Sequence, residues 1–204
     1  EADKILLLAR TTRLEEVKKP TEGLSLFYTD LDRTFVTVRE IEKMGRKCVD
    51  SNELFIDGLP IPAEDLIGEE GQGFRQILHG LNPERVLVAA EAVGIGRNAL
   101  RRAADYANER VVFGRPIGQN QGVQHPLAVS WAELEAANHM VMAAASLLDQ
   151  GLPCGTEANA AKLLASQAGM KACQTAILTR SPNSEAACDV EKIAKKMLIP
   201  GIRS

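Results

Sequence analysis

Residues 82–99 read Asn82-Pro83-Glu84-Arg85-Val86-Leu87-Val88-Ala89-Ala90-Glu91-Ala92-Val93-Gly94-Ile95-Gly96-Arg97-Asn98-Ala99. The last six match the dinucleotide fingerprint GxGxxA, and the apolar run Val86 to Val93 precedes them. That fingerprint works only at a strand-to-helix turn, where amides of the helix start face a pyrophosphate. Asn82 is a good helix N-cap, and Pro83 suits the first turn, where its missing N–H does no harm. A helix starting there places both glycines in its middle, with their amides committed to i→i−4 bonds. The stretch therefore reads as one helix running to about Glu109, with glycines that permit tight helix packing. A nicotinamide-dependent enzyme is an alternative that rests on those glycines alone.

Downstream the helical period continues. A second helix is expected from about Gly122 to Gln150, with Leu127, Trp131, Leu134, Val141 and Leu148 on one stripe and Gly151 and Pro153 closing it. A third, about Thr156 to Leu178, carries Ala158, Ala161, Ala165, Ala168 and Ala172 on its packing side. Ser181-Pro182-Asn183-Ser184 introduces a fourth, Glu185 to Leu198.

Upstream the pattern is that of strands. Lys4 to Ala9, Leu24 to Thr29, Thr34 to Val38 and Glu53 to Asp57 are short runs rich in branched or aromatic residues, separated by Pro, Gly, Asp and Asn. No helix-length segment lies between them, so antiparallel pairing is expected rather than a parallel βαβ sheet. The piece Gly58-Leu59-Pro60-Ile61-Pro62 ends the strands, and the turn Gly68-Glu69-Glu70-Gly71-Gln72-Gly73 marks the change of period. The fold class is α+β: a partial antiparallel β domain over residues 1–67, then an up-down helical bundle over 68–204.

A net charge of −3 argues against a nucleic-acid partner, which would show a concentrated basic excess. No apolar run reaches the roughly 18 residues that cross a bilayer, so no membrane span is expected. Glu1-Ala2-Asp3-Lys4 runs straight into an apolar segment without a secretory pattern, and a start without Met suggests a piece of something longer. An intracellular placement, in the cytoplasm or a mitochondrial matrix, is the expectation. Cys48, Cys154, Cys173 and Cys188 show no CxxC pair and read as idle thiols. No metal-ligand spacing appears, and His79, His125 and His139 have no sequence partner for a hydrolase triad.

Leu81-Asn82-Pro83-Glu84-Arg85, Ala89 to Gly94, Tyr106-Ala107-Asn108-Glu109-Arg110-Val111-Val112-Phe113-Gly114-Arg115-Pro116-Ile117 and Gln121 form a distinctive ordered set. The set strongly resembles the acyl-CoA dehydrogenase family. Leu8-Ala9-Arg10-Thr11, Met44-Gly45 and Gly68 to Phe74 fall in the family's order too. The resemblance covers about residues 3 to 179 closely and the tail loosely. It implies that the family's first helical domain, and the strand with its Trp-Ile-Thr flavin contact, would lie before Glu1.

The resemblance further implies an FAD enzyme that oxidises an acyl-CoA thioester to the 2-enoyl product. A carboxylate takes the pro-R α-proton while the β-hydrogen leaves as hydride to the flavin N5. It implies a homo-oligomer, dimer or tetramer, with an electron-transfer flavoprotein as acceptor. Such chemistry needs one base in a dry pocket and donors to the thioester carbonyl.

Glu84 by itself reads as an ordinary first-turn acid favoured by the helix macrodipole. Family comparison changes that reading. Most members carry the base on a C-terminal loop after a Val-Glu-Arg or Val-Glu-Lys helix. Laying Val190-Glu191-Lys192 on that pattern brings the loop position to Ser204, which cannot act as a base. Isovaleryl-type and long-chain members carry a glutamate on the first bundle helix, at the position Glu84 matches. Asn82 and Arg85 match positions lining the acyl-CoA site, and Thr11 matches a small hydroxyl residue touching the CoA portion. The loop from Arg110 to Gln121 matches one that reaches the FAD of a neighbouring subunit, through Arg110, Val112, Phe113, Asn120 and Gln121.

One segment departs from the family. After Leu178-Thr179 the family has a His-Gly-Gly turn against the flavin, where this chain has Arg180-Ser181-Pro182-Asn183. A catalytically impaired form acting as an assembly or interaction module is the alternative that this departure supports.

Overall fold

The computed structural model describes residues 2–43, 45 and 49–180. The described residues form two compact units, one of residues 2–42 and 49–81, the other of Lys43, Gly45 and residues 82–180. The expected fourth helix, the Val190-Glu191-Lys192 segment and the segment 181–184 lie outside the described residues.

In the first unit, β1 (Lys4–Arg10) pairs antiparallel with β2 (Leu24–Asp30), with Lys4 opposite Asp30 and Arg10 opposite Leu24. A hairpin, β3 (Val36–Glu40) with β4 (Asn52–Ile56), forms a separate antiparallel sheet. A two-residue strand unforeseen from sequence, β5 (Leu66–Ile67), pairs antiparallel with the other edge of β2. The expected strands are present, shifted by two residues at most.

A half-buried strand alternates inside and outside residues, yet Ser25 and its neighbour Leu26 are both buried. The Gly68–Gly73 turn accounts for this by lying against β2. A Cβ on Gly73 would stand 2.5 Å from the Leu26 nitrogen and the Ser25 carbonyl carbon, so only glycine fits. Gly71 holds a positive φ of 77° and donates its N–H to Ser25 Oγ at 2.8 Å.

The first helix corrects the sequence reading. α1 spans Gly73–Glu109, so it begins nine residues before Asn82, and Pro83 lies inside it. Asn82 is therefore not an N-cap, and Glu84 is not a first-turn acid. Proline cannot donate to the carbonyl four residues back, at His79, and the ladder lacks that bond. The helix persists because its start is anchored on β2 through Gly71 and Gly73, and half-buried Phe74 and Ile77 follow at helical spacing.

In the second unit, α1 packs with α2 (Gln121–Asp149) and α3 (Gly155–Arg180). The core includes Val86, Ala89 and Val93 of α1, Leu134 and Val141 of α2, and the alanine stripe of α3. All five alanines named from sequence are buried. Gly151 adopts φ 66° and closes α2, with Leu152 N–H donating to Leu147 O and Gly151 N–H to Leu148 O. That pair of bonds is the Schellman pattern.

Trp131 departs from the expected stripe and is 59% exposed. Ser130, Leu134, Ala137, Val141 and Ala144 are the buried positions of α2. At 3.6 residues per turn Trp131 lies roughly 100° round from their centre. The glycines of the fingerprint do sit in mid-helix, but only Gly96 serves packing. Its absent Cβ would meet Leu134 Cδ2 at 2.7 Å and Gly169 Cα at 3.1 Å, whereas Gly94 has nothing within 4 Å.

Candidate functional site

One turn of α1 carries Asn82, Glu84 and Arg85, but it pairs only two of them. Asn82 and Arg85 are half-buried three residues apart, whereas Glu84 lies about 200° round from Asn82 and about 100° from Arg85 on the exposed side. Arg85 Nη1 donates to Asn82 Oδ1 at 2.9 Å, which orients both side chains. Glu84 is exposed. The helix start lies three turns away, and the macrodipole acts only within the first turn. One turn further, Leu87 is 70% exposed, while Val86 and Ala89 enter the core. A carboxylate therefore stands beside an apolar side chain on the α1 face opposite the core. Leu87 was not singled out from sequence, because an exposed leucine on a helix gives no periodic signal. Glu91 and Gly94 continue the same exposed face.

The segment between α1 and α2 is a module in its own right. β6 (Val111–Val112) and β7 (Arg115–Pro116) pair antiparallel, with Val112 opposite Arg115, around a two-residue loop. Phe113 has φ 53° and Gly114 φ 77°. Positive φ at both loop positions is the type I′ geometry that strand twist favours, normally supplied by Asn-Gly. Phenylalanine there is strained, and its ring is fully exposed. Backbone bonds stack the loop: Arg110 N–H donates to Tyr106 O at 2.8 Å, and Ile117 N–H to Arg110 O at 2.9 Å.

Asn120 is largely engaged within this loop. Its Oδ1 accepts from Arg115 Nη2 at 2.7 Å and its Nδ2 donates to Ile117 O at 3.0 Å, which leaves one donor and one acceptor position. Arg110, Val112 and Gln121 are exposed. Arg110 makes no side-chain hydrogen bond to another described residue. A strained, exposed ring beside an uncommitted guanidinium fits a ligand with a flat aromatic end and an anionic link, as FAD has.

Thr11 lies in the first unit, just after β1, and is exposed. Its hydroxyl meets Ser25 Oγ at 2.7 Å. Arg10 shapes the loop that follows by donating to the carbonyls of Thr12, Pro20 and Glu22. Ser25 gave no sequence signal, since a serine within a strand is common and its burial depends on the turn laid over it. Among the described residues no group of three or more His, Cys, Asp or Glu is placed to hold a metal, and no helix is long and apolar enough to cross a membrane.

The chain is similar to known proteins of one family. Residues 71–198 match the pattern of the acyl-CoA dehydrogenase C-terminal domain. The chain is 42% identical over 156 residues to an acyl-CoA dehydrogenase of Bacillus subtilis, covering 76% of this chain and 41% of that protein. It is 37% identical over 185 residues to acyl-CoA dehydrogenase FadE12 of Mycobacterium tuberculosis, covering 90% and 47%. Its fold matches the butyryl-CoA dehydrogenase of Megasphaera elsdenii with a TM-score of 0.87 at 29% identity, covering 96% of this chain and 51% of that one. The chain thus spans about half the length of the relatives it matches.

Proposed function

The chain belongs to the acyl-CoA dehydrogenase family, and from that premise we propose that it forms the catalytic half of an FAD-dependent enzyme that desaturates an acyl-CoA thioester. On this reading residues 1–67 are the second half of the middle β domain, and 68–204 the C-terminal helical bundle. The observation that carries the proposal is the exposed α1 face on which Glu84 stands beside Leu87.

Glu84 takes the α-proton onto a carboxylate oxygen, and the α,β double bond forms as the β-hydrogen departs with its electron pair. FAD, when bound, supplies the hydride acceptor. Leu87 gives Glu84 an apolar neighbour against which an acyl group excludes water. Asn82 and Arg85, held by their mutual bond, line the acyl-CoA side, with Thr11 toward the CoA portion. Arg110, Val112, Phe113, Asn120 and Gln121 hold the FAD of a neighbouring subunit, so the reading requires a homo-oligomer. Electrons then pass to an electron-transfer flavoprotein, and the enzyme works inside the cell, in the cytoplasm or a mitochondrial matrix.

The test is anaerobic reduction of bound flavin in the full-length protein by a series of acyl-CoA thioesters. Glu84→Gln keeps the shape and removes the proton acceptor. It should bind acyl-CoA and bleach the flavin about 10²–10⁴-fold more slowly. Glu91→Gln, two turns along and about 10 Å away on the exposed face, should bleach at the wild-type rate. Equal rates for Glu84→Gln and wild type would move the base elsewhere.

A further inference from the structure

The hydrogen bonds around Ser25 do more than pack the turn onto the strand. Ser25 has no exposure to water. Its oxygen accepts from the Gly71 N–H at 2.8 Å and lies 2.7 Å from Thr11 Oγ1. A serine hydroxyl carries one proton. Were Thr11 to donate to Ser25, the Ser25 proton would be buried with no acceptor among the described residues, an arrangement folded proteins avoid. Ser25 therefore donates and Thr11 accepts.

That polarity sets the state of the Thr11 proton. Its nearest internal acceptor is Gly23 O at 3.5 Å, the outer limit of a hydrogen bond. Gly23 O already accepts from Thr11 N–H at 2.9 Å and Thr12 N–H at 3.1 Å, which occupies its two lone pairs. Thr11 is an exposed residue, so its proton is left to an acceptor outside the fold.

We infer that Ser25 is a positioning residue which, tied to the Gly71 amide, holds Thr11 as a hydrogen-bond donor to an oxygen of the CoA portion of the substrate. This rests on the acyl-CoA reading. Within it, the glycine turn acquires a second role. The same Gly71 that lies against β2 ahead of α1 also fixes the direction of the hydrogen-bond chain Gly71 N–H to Ser25, Ser25 O–H to Thr11, Thr11 O–H to ligand. The ligand atom must be an acceptor, either a phosphate oxygen or an amide carbonyl of the pantetheine arm.

The experiment uses FAD-loaded full-length protein, a dye acceptor, and a thioester that the wild type oxidises. Thr11→Val, Ser25→Ala and the double variant are compared. Each single change should raise KM about three- to tenfold, the worth of one neutral hydrogen bond, with kcat within about twofold. The double variant should show no more than the larger single effect, because Ser25 acts through Thr11. Repeating the series on the acyl-pantetheine thioester separates the two acceptors: a retained penalty places the oxygen on the pantetheine arm, a lost one on the nucleotide phosphates. Ser25→Cys keeps the volume with a weak donor and should also raise KM, which covers the case in which Ser25→Ala fails to fold. Additive effects, or an unchanged KM in Thr11→Val or Ser25→Cys, overturn the inference while leaving the enzyme reading intact. A wild type that oxidises no acyl-CoA overturns both.

Discussion

Ser130 of α2 and Thr175 of α3 share a hydroxyl–hydroxyl hydrogen bond of 2.9 Å, with both residues buried. In an interface otherwise made largely of alanine, this bond gives the two helices a register that small apolar surfaces alone specify poorly. Removing one partner leaves the other buried and unsatisfied. Ser130→Ala should destabilise by about 1–3 kcal/mol, while Ser130→Ala with Thr175→Val should cost less than the sum of the two single changes. Urea unfolding of the three variants measures the coupling.

Gly94 and Gly96 should respond oppositely to the same substitution. Gly94→Ala meets nothing within 4 Å and should stabilise α1 by about 0.5–1 kcal/mol through helix propensity. Gly96→Ala places a methyl 2.7 Å from Leu134 and 3.1 Å from the Gly169 backbone, and should destabilise by about 1–3 kcal/mol. Thermal unfolding of both variants decides whether the glycines serve packing individually. Equal shifts would contradict it.

The strain at Phe113 predicts a trade between stability and cofactor affinity. Phe113→Asn creates the Asn-Gly pair that a type I′ loop favours, and should stabilise by about 1–3 kcal/mol. The same change removes the exposed ring and should weaken FAD binding. Arg110→Ala should weaken it by about tenfold to a hundredfold without loss of helical signal. Flavin retention after dialysis, with circular dichroism in parallel, tests both. Undiminished retention in both variants would remove the loop from the cofactor site.

Cys173 introduces an alkaline dependence. Burial pushes its thiol up to about 11, because the thiolate is disfavoured in the helical core. Above the ordinary thiol value of about 8.5 the unfolded chain releases this proton while the folded chain keeps it. The contribution is fully present below that value and is lost as pH rises toward 11. Tm should fall more steeply between about pH 9 and 11 in wild type than in Cys173→Ala, and alkylation of Cys173 in the native protein should be slow. Parallel Tm curves would refute this account.

Residue order carried the bundle well, for a physical reason. The alanine stripe of α3, the heptad-like Leu134 and Val141 of α2, and Gly151 at its end each act within one helix, so periodicity reveals them. Glu84, Asn82, Arg85 and the loop from Arg110 to Gln121 stand out in the sequence as an ordered motif and their roles are proposals, while the bond between Asn82 and Arg85 belongs to the folded helix. The start of α1 was not readable in this way. Asn82-Pro83 is a good local stop-and-start signal, yet the contact of Gly71 and Gly73 with β2 sets the beginning at Gly73 and carries the helix across the proline. Trp131 was misplaced because a stripe drawn at three- and four-residue steps fixes the period but not the centre of the buried face, which packing against the neighbouring helices sets. The burial of Ser25, the direction of its hydrogen bond and the strain at Phe113 depend on residues far apart in the chain or on backbone angles. Local propensity contains neither, so these features took form only when the turn lay on the strand and the hairpin closed.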